Sequence, residues 1–362
     1  MSLKSGIIGL PNVGKSTLFN LIAGMSVPAD NYPFCTIDPN VGVVAVPDPR
    51  LDRLADIIQP DKKTPATVEL VDIAGLVQDA GKGEGRGNEF LSRIRNMDLL
   101  VHVLRYFSDD NVAHTHEGLD PMQDAVTVER ELAVSDIQIL ERRMEKLKKE
   151  ARHSPDAAKK ELAVAEMLVE KLKSCSGQDP VPGETGQDDW KQSQLLSWIP
   201  VIYLVNCSEE EMLNRESGFS GLREYAEKNG RDVLPIAVKF ELELDQLPEN
   251  EKVSFRQEYG IEQGAVERFI HTVYEHLNLV TFFTCAGGKE VRATSVPSGT
   301  PVRRAAGKIH TDMEENFKKA EVYSFSDLEQ YGSVKEVKNA GRLRVEGKDY
   351  TVQDGDIVLI KF

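Results

Sequence analysis

The chain has 362 residues, 40% apolar and 28% charged, which is enough for two or three globular domains, each with its own core. No stretch reaches 18 consecutive apolar residues, which excludes a membrane-spanning helix, and the early apolar run Gly6–Leu10 is too short for a signal peptide. A net charge of −15 argues against a protein broadly coated with nucleic acid, and four dispersed cysteines (Cys35, Cys175, Cys207, Cys285) without a CxxC pair argue against a disulfide framework or zinc site and fit a reducing cytoplasm.

In chain order, the first strand-like run leads into Gly9-Leu-Pro-Asn-Val-Gly-Lys-Ser-Thr17, a complete G-x-x-x-x-G-K-[ST] loop that opens into a helical pattern to Ile22. Backbone N–H groups of such a turn point at phosphate oxygens, and the helix N-terminus adds its positive end. Lys15 is placed to reach the β- and γ-phosphates and Ser16 to offer a hydroxyl to Mg²⁺. Further strand signals fall at Val41–Val46, Thr67–Ile73, Leu99–Leu104, Ile199–Val205 and Val233–Val238, interleaved with helical segments, and predict a mostly parallel α/β sheet.

Between the first two of these elements lies Asn31-Tyr-Pro-Phe-Cys-Thr36-Ile-Asp-Pro, where Thr36 is a candidate second Mg²⁺ hydroxyl. The run Val68-Glu-Leu-Val-Asp72-Ile-Ala-Gly75 ends a strand in D-x-x-G. Asp72 is placed to help hold Mg²⁺ through water, and the Gly75 N–H to sense a γ-phosphate. Gly81-Lys-Gly-Glu-Gly-Arg-Gly87 follows, and its alternating glycines favour no single conformation, as expected of a switch segment ordered by nucleotide. Leu76 stands where many hydrolytic switch proteins carry a water-orienting glutamine, and His114 is the replacement candidate by location.

The gap between Leu104 and Ile199 is too long for one crossover. Within it, Val126, Ala133, Ile137, Leu140, Met144, Leu147 and Ala151, and then Ala158, Leu162, Ala165, Val169 and Leu172, recur at heptad-like spacings around a break at 152–155, which predicts an antiparallel coiled-coil hairpin. Strand Val201–Val205 runs into Asn206-Cys207-Ser208-Glu209. Guanine-binding switch proteins read N-K-x-D at this place, the aspartate accepting from guanine N1–H and N2–H₂. Cys207 and Glu209 replace that lysine and aspartate, so selectivity for guanine weakens and adenine becomes plausible, read through main-chain groups around Cys207.

From about Val280, short apolar runs that include Phe282, Val291, Val302, Tyr323 and Ile357 alternate with turn signals, and one helical stretch lies over 313–317; the segment reads as a small mixed β domain. Residues 286–362 carry 13 Lys/Arg against 12 Asp/Glu, and Lys289, Arg292, Arg303, Arg304 and Lys308 face only Glu290 within 286–310, a candidate RNA footprint on an acidic protein.

Taken together, Gly9–Thr17, Asn31–Asn40, Asp72–Leu76, Gly81–Asn88, Asn206–Glu209 and Ala305–Asp312 (AAGKIHTD) resemble the YchF subfamily of Obg-like P-loop ATPases over essentially the whole chain. The resemblance implies a P-loop nucleotide-binding domain over 1–120 and 196–279, a coiled-coil insert over 121–195 and a TGS-like, ubiquitin-like β-grasp domain over 280–362. It implies phosphate binding by Asn12, Val13, Gly14, Lys15, Ser16 and Thr17, base contacts from Asn206, Cys207 and Glu209, Mg²⁺ ligation by Ser16, Thr36 and Asp72, and catalysis through Lys15, Gly75 and His114. Asn12 matches the asparagine with which some relatives hold K⁺. The implied activity is ATP hydrolysis, in preference to GTP, by a cytoplasmic monomer associated with the ribosome and its RNA. Two alternatives stay open on the residues alone: a GTP-binding regulator of the same fold, and a ribosome- or RNA-binding adaptor with incidental turnover.

Overall fold

The computed structural model describes residues 3–24, 40–73, 86–108, 118–150, 155–174, 195–213, 219–258 and 264–362. The N-terminal part runs β1 (Lys4–Ile8), α1 (Lys15–Gly24), β2 (Val41–Ala45), α2 (Pro49–Ile58), β3 (Lys62–Thr64), β4 (Thr67–Asp72), α3 (Arg86–Ile94) and β5 (Leu99–Tyr106). Two long helices follow, α4 (Pro121–Glu150) and α5 (Pro155–Ser174). The chain then returns through β6 (Val201–Cys207), α6 (Glu209–Leu213), α7 (Ser220–Lys228), β7 (Val233–Ile236), α8 (Val238–Asp245), α9 (Glu249–Glu258) and α10 (Ala265–His276). These strands build a six-stranded sheet in the order β2-β4-β1-β5-β6-β7, parallel except for the antiparallel edge strand β2. Every residue of β6, and all of β5 but Tyr106, is buried; both strands are nearly continuous apolar runs, as central strands covered on both faces must be.

The helical insert is the antiparallel hairpin that its periodicity predicts. Leu140 of α4 packs with Ala165, Leu168, Val169 and Leu172 of α5 in an apolar cluster separate from the main core, with Ala133, Ile137 and Met144 at its margin. Its root is held by buried charge. The Asp136 carboxylate accepts from the N–H groups of Leu196 (2.9 Å) and Ser197 (2.8 Å) and from the Ser197 hydroxyl (2.7 Å). Two helical turns earlier lie Glu129 and its partners. Its carboxylate accepts from Tyr225 Oη at 2.6 Å, and it also binds the hydroxyl of Tyr203 on β6 and pairs with Arg231, which leads into β7.

Beside this cluster, His102 of β5 is 1% exposed and tilts against the Tyr203 ring at 5.9 Å. Burial, with the positive charges of Arg231 and Lys15, pulls its imidazole down to about 3. The unfolded chain takes up this proton near pH 6.5. Stability from this group is therefore complete above pH 6.5 and is lost as pH falls from 6.5 towards 3. Between pH 7 and pH 5 the loss is about 2 kcal/mol by linkage. Chemical denaturation of the parent and of His102→Gln at both pH values is expected to show that extra loss in the parent alone; equal losses would contradict it.

The last segment forms β8 (Leu279–Ala286), β9 (Glu290–Pro297), α11 (Val302–Ile309), α12 (Thr311–Glu315), β10 (Lys319–Ser324), α13 (Phe325–Tyr331), α14 (Val334–Asn339), β11 (Arg344–Glu346) and β12 (Asp356–Lys361). β8 and β9 make a hairpin, β12 returns parallel to β8, and α11 packs with Val302 and Ala305 on the face that carries Phe282, Val296, Val322 and Val358. Val302 thus opens a helix rather than joining a strand-like run, and the main helix lies ahead of the expected 313–317 stretch. The second sheet has the order β11-β10-β12-β8-β9-β3. β3 comes from the N-terminal part and pairs parallel with β9, Lys62 to Glu290 through Thr64 to Arg292. The junction is fastened by Arg50 of α2, whose Nε donates to Asp48 Oδ1 at 2.9 Å and Nη1 to Asp354 Oδ2 at 2.6 Å, with the guanidinium 5.4 Å from the Phe283 ring centre. No helix among the described residues is long and apolar enough to cross a membrane.

Candidate functional site

The turn after β1 needs its glycines. Gly9 has φ 149°, and a Cβ there would lie 2.5 Å from the Val103 carbonyl oxygen; Gly14 has φ 96°, and a Cβ there would lie 2.3 Å from Asn206 Nδ2. Asn12 also adopts a left-handed conformation, φ 63°. Positive-φ residues within a turn create a concave row of N–H groups, and α1 begins at Lys15 directly behind it. The Lys15 Nζ donates to Gly9 O at 3.0 Å and Leu10 O at 2.6 Å. An ammonium has three donors, so one is left for a phosphate oxygen. Burial draws the Lys15 ammonium down to about 8, and the charge of Asp72 works against that shift. Ser16 and Thr17 are exposed on the first turn of α1 and line the same cleft. The Val13 side chain is 1% exposed, packed in the core, so only its backbone is available to a ligand.

Asp72 is the last residue of β4, in register with Ile7 of β1, which brings its carboxylate beside the loop. Burial raises its pKa and the Lys15 charge lowers it. Its Oδ1 is buried with no hydrogen-bond partner. Among the described residues there is no cluster of three or more His, Cys, Asp or Glu fit to hold a metal. One buried acceptor oxygen and one free serine hydroxyl suit Mg²⁺, which is typically held by one or two protein oxygens, water and substrate phosphates rather than by a protein cage.

At the other end of the cleft, β6 delivers Asn206 and Cys207. The Asn206 amide is a brace: Nδ2 donates to Val13 O at 3.0 Å, and Oδ1 accepts from Val238 N at 3.4 Å. It ties the phosphate loop to the start of α8. Cys207 is 4% exposed, and burial, followed by the charge of Glu211, pushes its thiol up to about 12, so it stays protonated and offers main-chain groups. Ser208 and Glu211 form a reciprocal capping box, Ser208 N to Glu211 Oε2 at 3.2 Å and Glu211 N to Ser208 Oγ at 3.4 Å, which sets Glu209 as the first residue of α6. The cleft encloses roughly 700 Å³; besides loop residues and Asn206–Glu209 it is lined by Val238, Lys239 and Phe240, which stand where the resembled family often has a small-residue loop along the base, and by Phe107, Ser108 and Glu243, which motif spacing did not reveal. The strand expected over Val233–Val238 ends at Ile236, and α8 begins at Val238.

Thr36, Gly75, Leu76 and His114 lie outside the described residues, as does Gly81–Gly85, while Arg86 and Gly87 open α3. The basic residues of 289–308 are partly engaged. Arg292 pairs with Glu290 at 3.0 Å, Arg303 donates to the Glu314 carbonyl at 3.0 Å, and exposed Lys308 feels the charge of Glu69 on β4.

Two family models match. One, described as a 50S ribosome-binding GTPase, covers residues 4–149; the other, the YchF GTPase C-terminal region, described as a protein of unknown function, covers 279–362. Among curated proteins, the chain is 44% identical to the ribosome-binding ATPase YchF of Haemophilus influenzae, across 100% of this chain and 99% of that one. It is 41% identical to the Bacillus subtilis protein of the same name, across the full length of both. The solved structure of the Schizosaccharomyces pombe YchF GTPase superposes with a TM-score of 0.87 at 35% identity, covering 99% of this chain and 98% of that one. A P-loop cleft, a hairpin inserted between β5 and β6, and likeness to these relatives from end to end place this chain in the YchF family.

Proposed function

We propose that this protein is a Mg²⁺-dependent ATP hydrolase that acts as a nucleotide-controlled switch on the ribosome. The observation that carries the reading is the base end of the cleft, where a protonated Cys207 and a helix-starting Glu209 stand in place of the lysine and aspartate that select guanine. The ribosome enters from the names of the relatives.

In this reading the row of N–H groups from Asn12 to Thr17 and the N-terminus of α1 cradle the phosphates, and the third Lys15 donor meets the β- and γ-oxygens. Ser16 and Asp72, joined by Thr36, would hold Mg²⁺, which would offset charge on those oxygens. Water attacks the γ-phosphorus, the bond to the bridging oxygen breaks, and ADP and phosphate leave. Leu76 has no polar group to orient that water, so the role falls to His114, with the Gly75 N–H on the γ-phosphate; Asn12 would help hold a K⁺ ion, which would supply further charge compensation. The hairpin and the C-terminal sheet supply ribosomal contacts, and the protein works as a cytoplasmic monomer.

Single-turnover hydrolysis with Mg²⁺, with and without purified ribosomes, tests the proposal. ATP is expected to turn over faster than GTP, and the protein to sediment with ribosomes. Turnover of GTP alone, or of neither nucleotide, would overturn it.

A further inference from the structure

The base end of the cleft carries ionisable groups that neither the phosphate loop nor the Asn206 brace uses. Glu209 stands on one wall, at the first turn of α6. Lys239 and Glu243 stand on the other, four residues apart on α8, and so on one face of that helix. Both α8 side chains are exposed to solvent, and among the described residues no side-chain hydrogen bond or ion pair engages any of the three. The brace fixes the two walls to each other through Val13 and Val238.

The two purines differ in kind at position 6. Adenine presents an amino group, a donor; guanine presents a carbonyl, an acceptor. An ionised carboxylate only accepts, so beside position 6 it favours adenine and repels guanine. Glu209 occupies the place from which guanine readers take positions 1 and 2. A purine seated with that edge towards Glu209 turns position 6 towards the wall made by α8.

We propose that Glu243 accepts a hydrogen bond from the 6-amino group of adenine and is a residue that sets the preference for ATP. The assignment rests on the reading of the cleft as an ATP site and adds the group that distinguishes the base.

The test is equilibrium binding of three nucleotides with Mg²⁺: ATP, GTP, and purine riboside triphosphate, which has hydrogen at position 6. They are titrated against the full-length parent, Glu243→Ala, Glu243→Gln and Lys15→Ala. Glu243→Ala is expected to weaken ATP about tenfold, the scale of one hydrogen bond to a charged group, and to leave purine riboside triphosphate unchanged. Glu243→Gln, which keeps an acceptor, is expected to recover part of the loss. Unchanged ATP affinity in Glu243→Ala, or equal losses for ATP and purine riboside triphosphate, would overturn the role of Glu243 alone. Binding of all three that is indifferent to Lys15→Ala would overturn the nucleotide reading of the cleft, and this assignment with it.

Discussion

Lys15→Ala is expected to reduce kcat/KM for ATP on the order of 100- to 1,000-fold, the scale seen when one preorganised donor to developing charge is removed. The reason lies in how the ammonium is held. Two of its protons are fixed on Gly9 O and Leu10 O, at 3.0 and 2.6 Å, so the third is aimed before any nucleotide arrives and little reorganisation is needed during reaction. Asp72 lies close enough for the two charges to shift each other, so removing the lysine also leaves the buried carboxylate uncompensated next to incoming phosphates. Lys15→Arg is expected to fail nearly as badly, because a planar fork cannot occupy a pocket built around a tetrahedral ammonium. Steady-state and single-turnover rates on the two variants check this. A loss below tenfold in Lys15→Ala would show that the loop backbone alone carries the phosphates.

The second large effect concerns the root of the hairpin. Glu129→Ala is expected to destabilise the protein by about 3–5 kcal/mol, the cost of leaving one partner of a buried pair uncompensated. Glu129 and Arg231 side chains are each 18% exposed, and the carboxylate also takes the hydroxyls of Tyr203 and Tyr225, so its loss leaves Arg231 without its counter-charge and both hydroxyls without that acceptor, while Arg231 keeps its bond to the Tyr203 hydroxyl. The same reasoning predicts a partial rescue. Replacing both charges with apolar residues of similar volume, Glu129→Leu with Arg231→Met, removes the stranded cation along with its partner and is expected to restore at least half of the loss. Denaturant midpoints of the single and double variants decide the matter; a double variant as unstable as Glu129→Ala would mean that the loss comes from packing rather than from charge.

The phosphate loop was legible because its chemistry is local: Gly9 and Gly14 hold backbone angles that few other residues adopt, and Lys15 follows them in the chain. The hairpin was legible because its seam repeats, though Leu168 of α5 and Leu195, which follows the hairpin, were missed in its core. Helix α11 was missed although Val302, Ala305, Ala306 and Ile309 fall on one helical face just after Pro301, because strand signals on either side set the expectation. Strand β3 was not legible at all. Lys62-Lys63-Thr64 has no apolar alternation, and its pairing with β9 depends on a partner more than 200 residues away, secured by the Thr64 hydroxyl on Glu290 at 2.8 Å. Glu243 was overlooked for the same reason, since its place in the cleft is set by the packing of α8 and the Asn206 brace, which no nearby motif announces.

Of the basic residues of 289–308, Lys289, Arg303, Arg304 and Lys308 are exposed and Arg292 is partly buried. Arg292 has its guanidinium met by Glu290, and Lys308 feels the charge of Glu69.

The central claim is that this cleft has exchanged guanine for adenine, and equilibrium binding of ATP and GTP to the purified protein with Mg²⁺, at one salt concentration, tests it most directly. ATP tighter by tenfold or more, about 1.4 kcal/mol, is the predicted result. GTP tighter by a similar margin would contradict it and would mean that Glu209 still reads guanine.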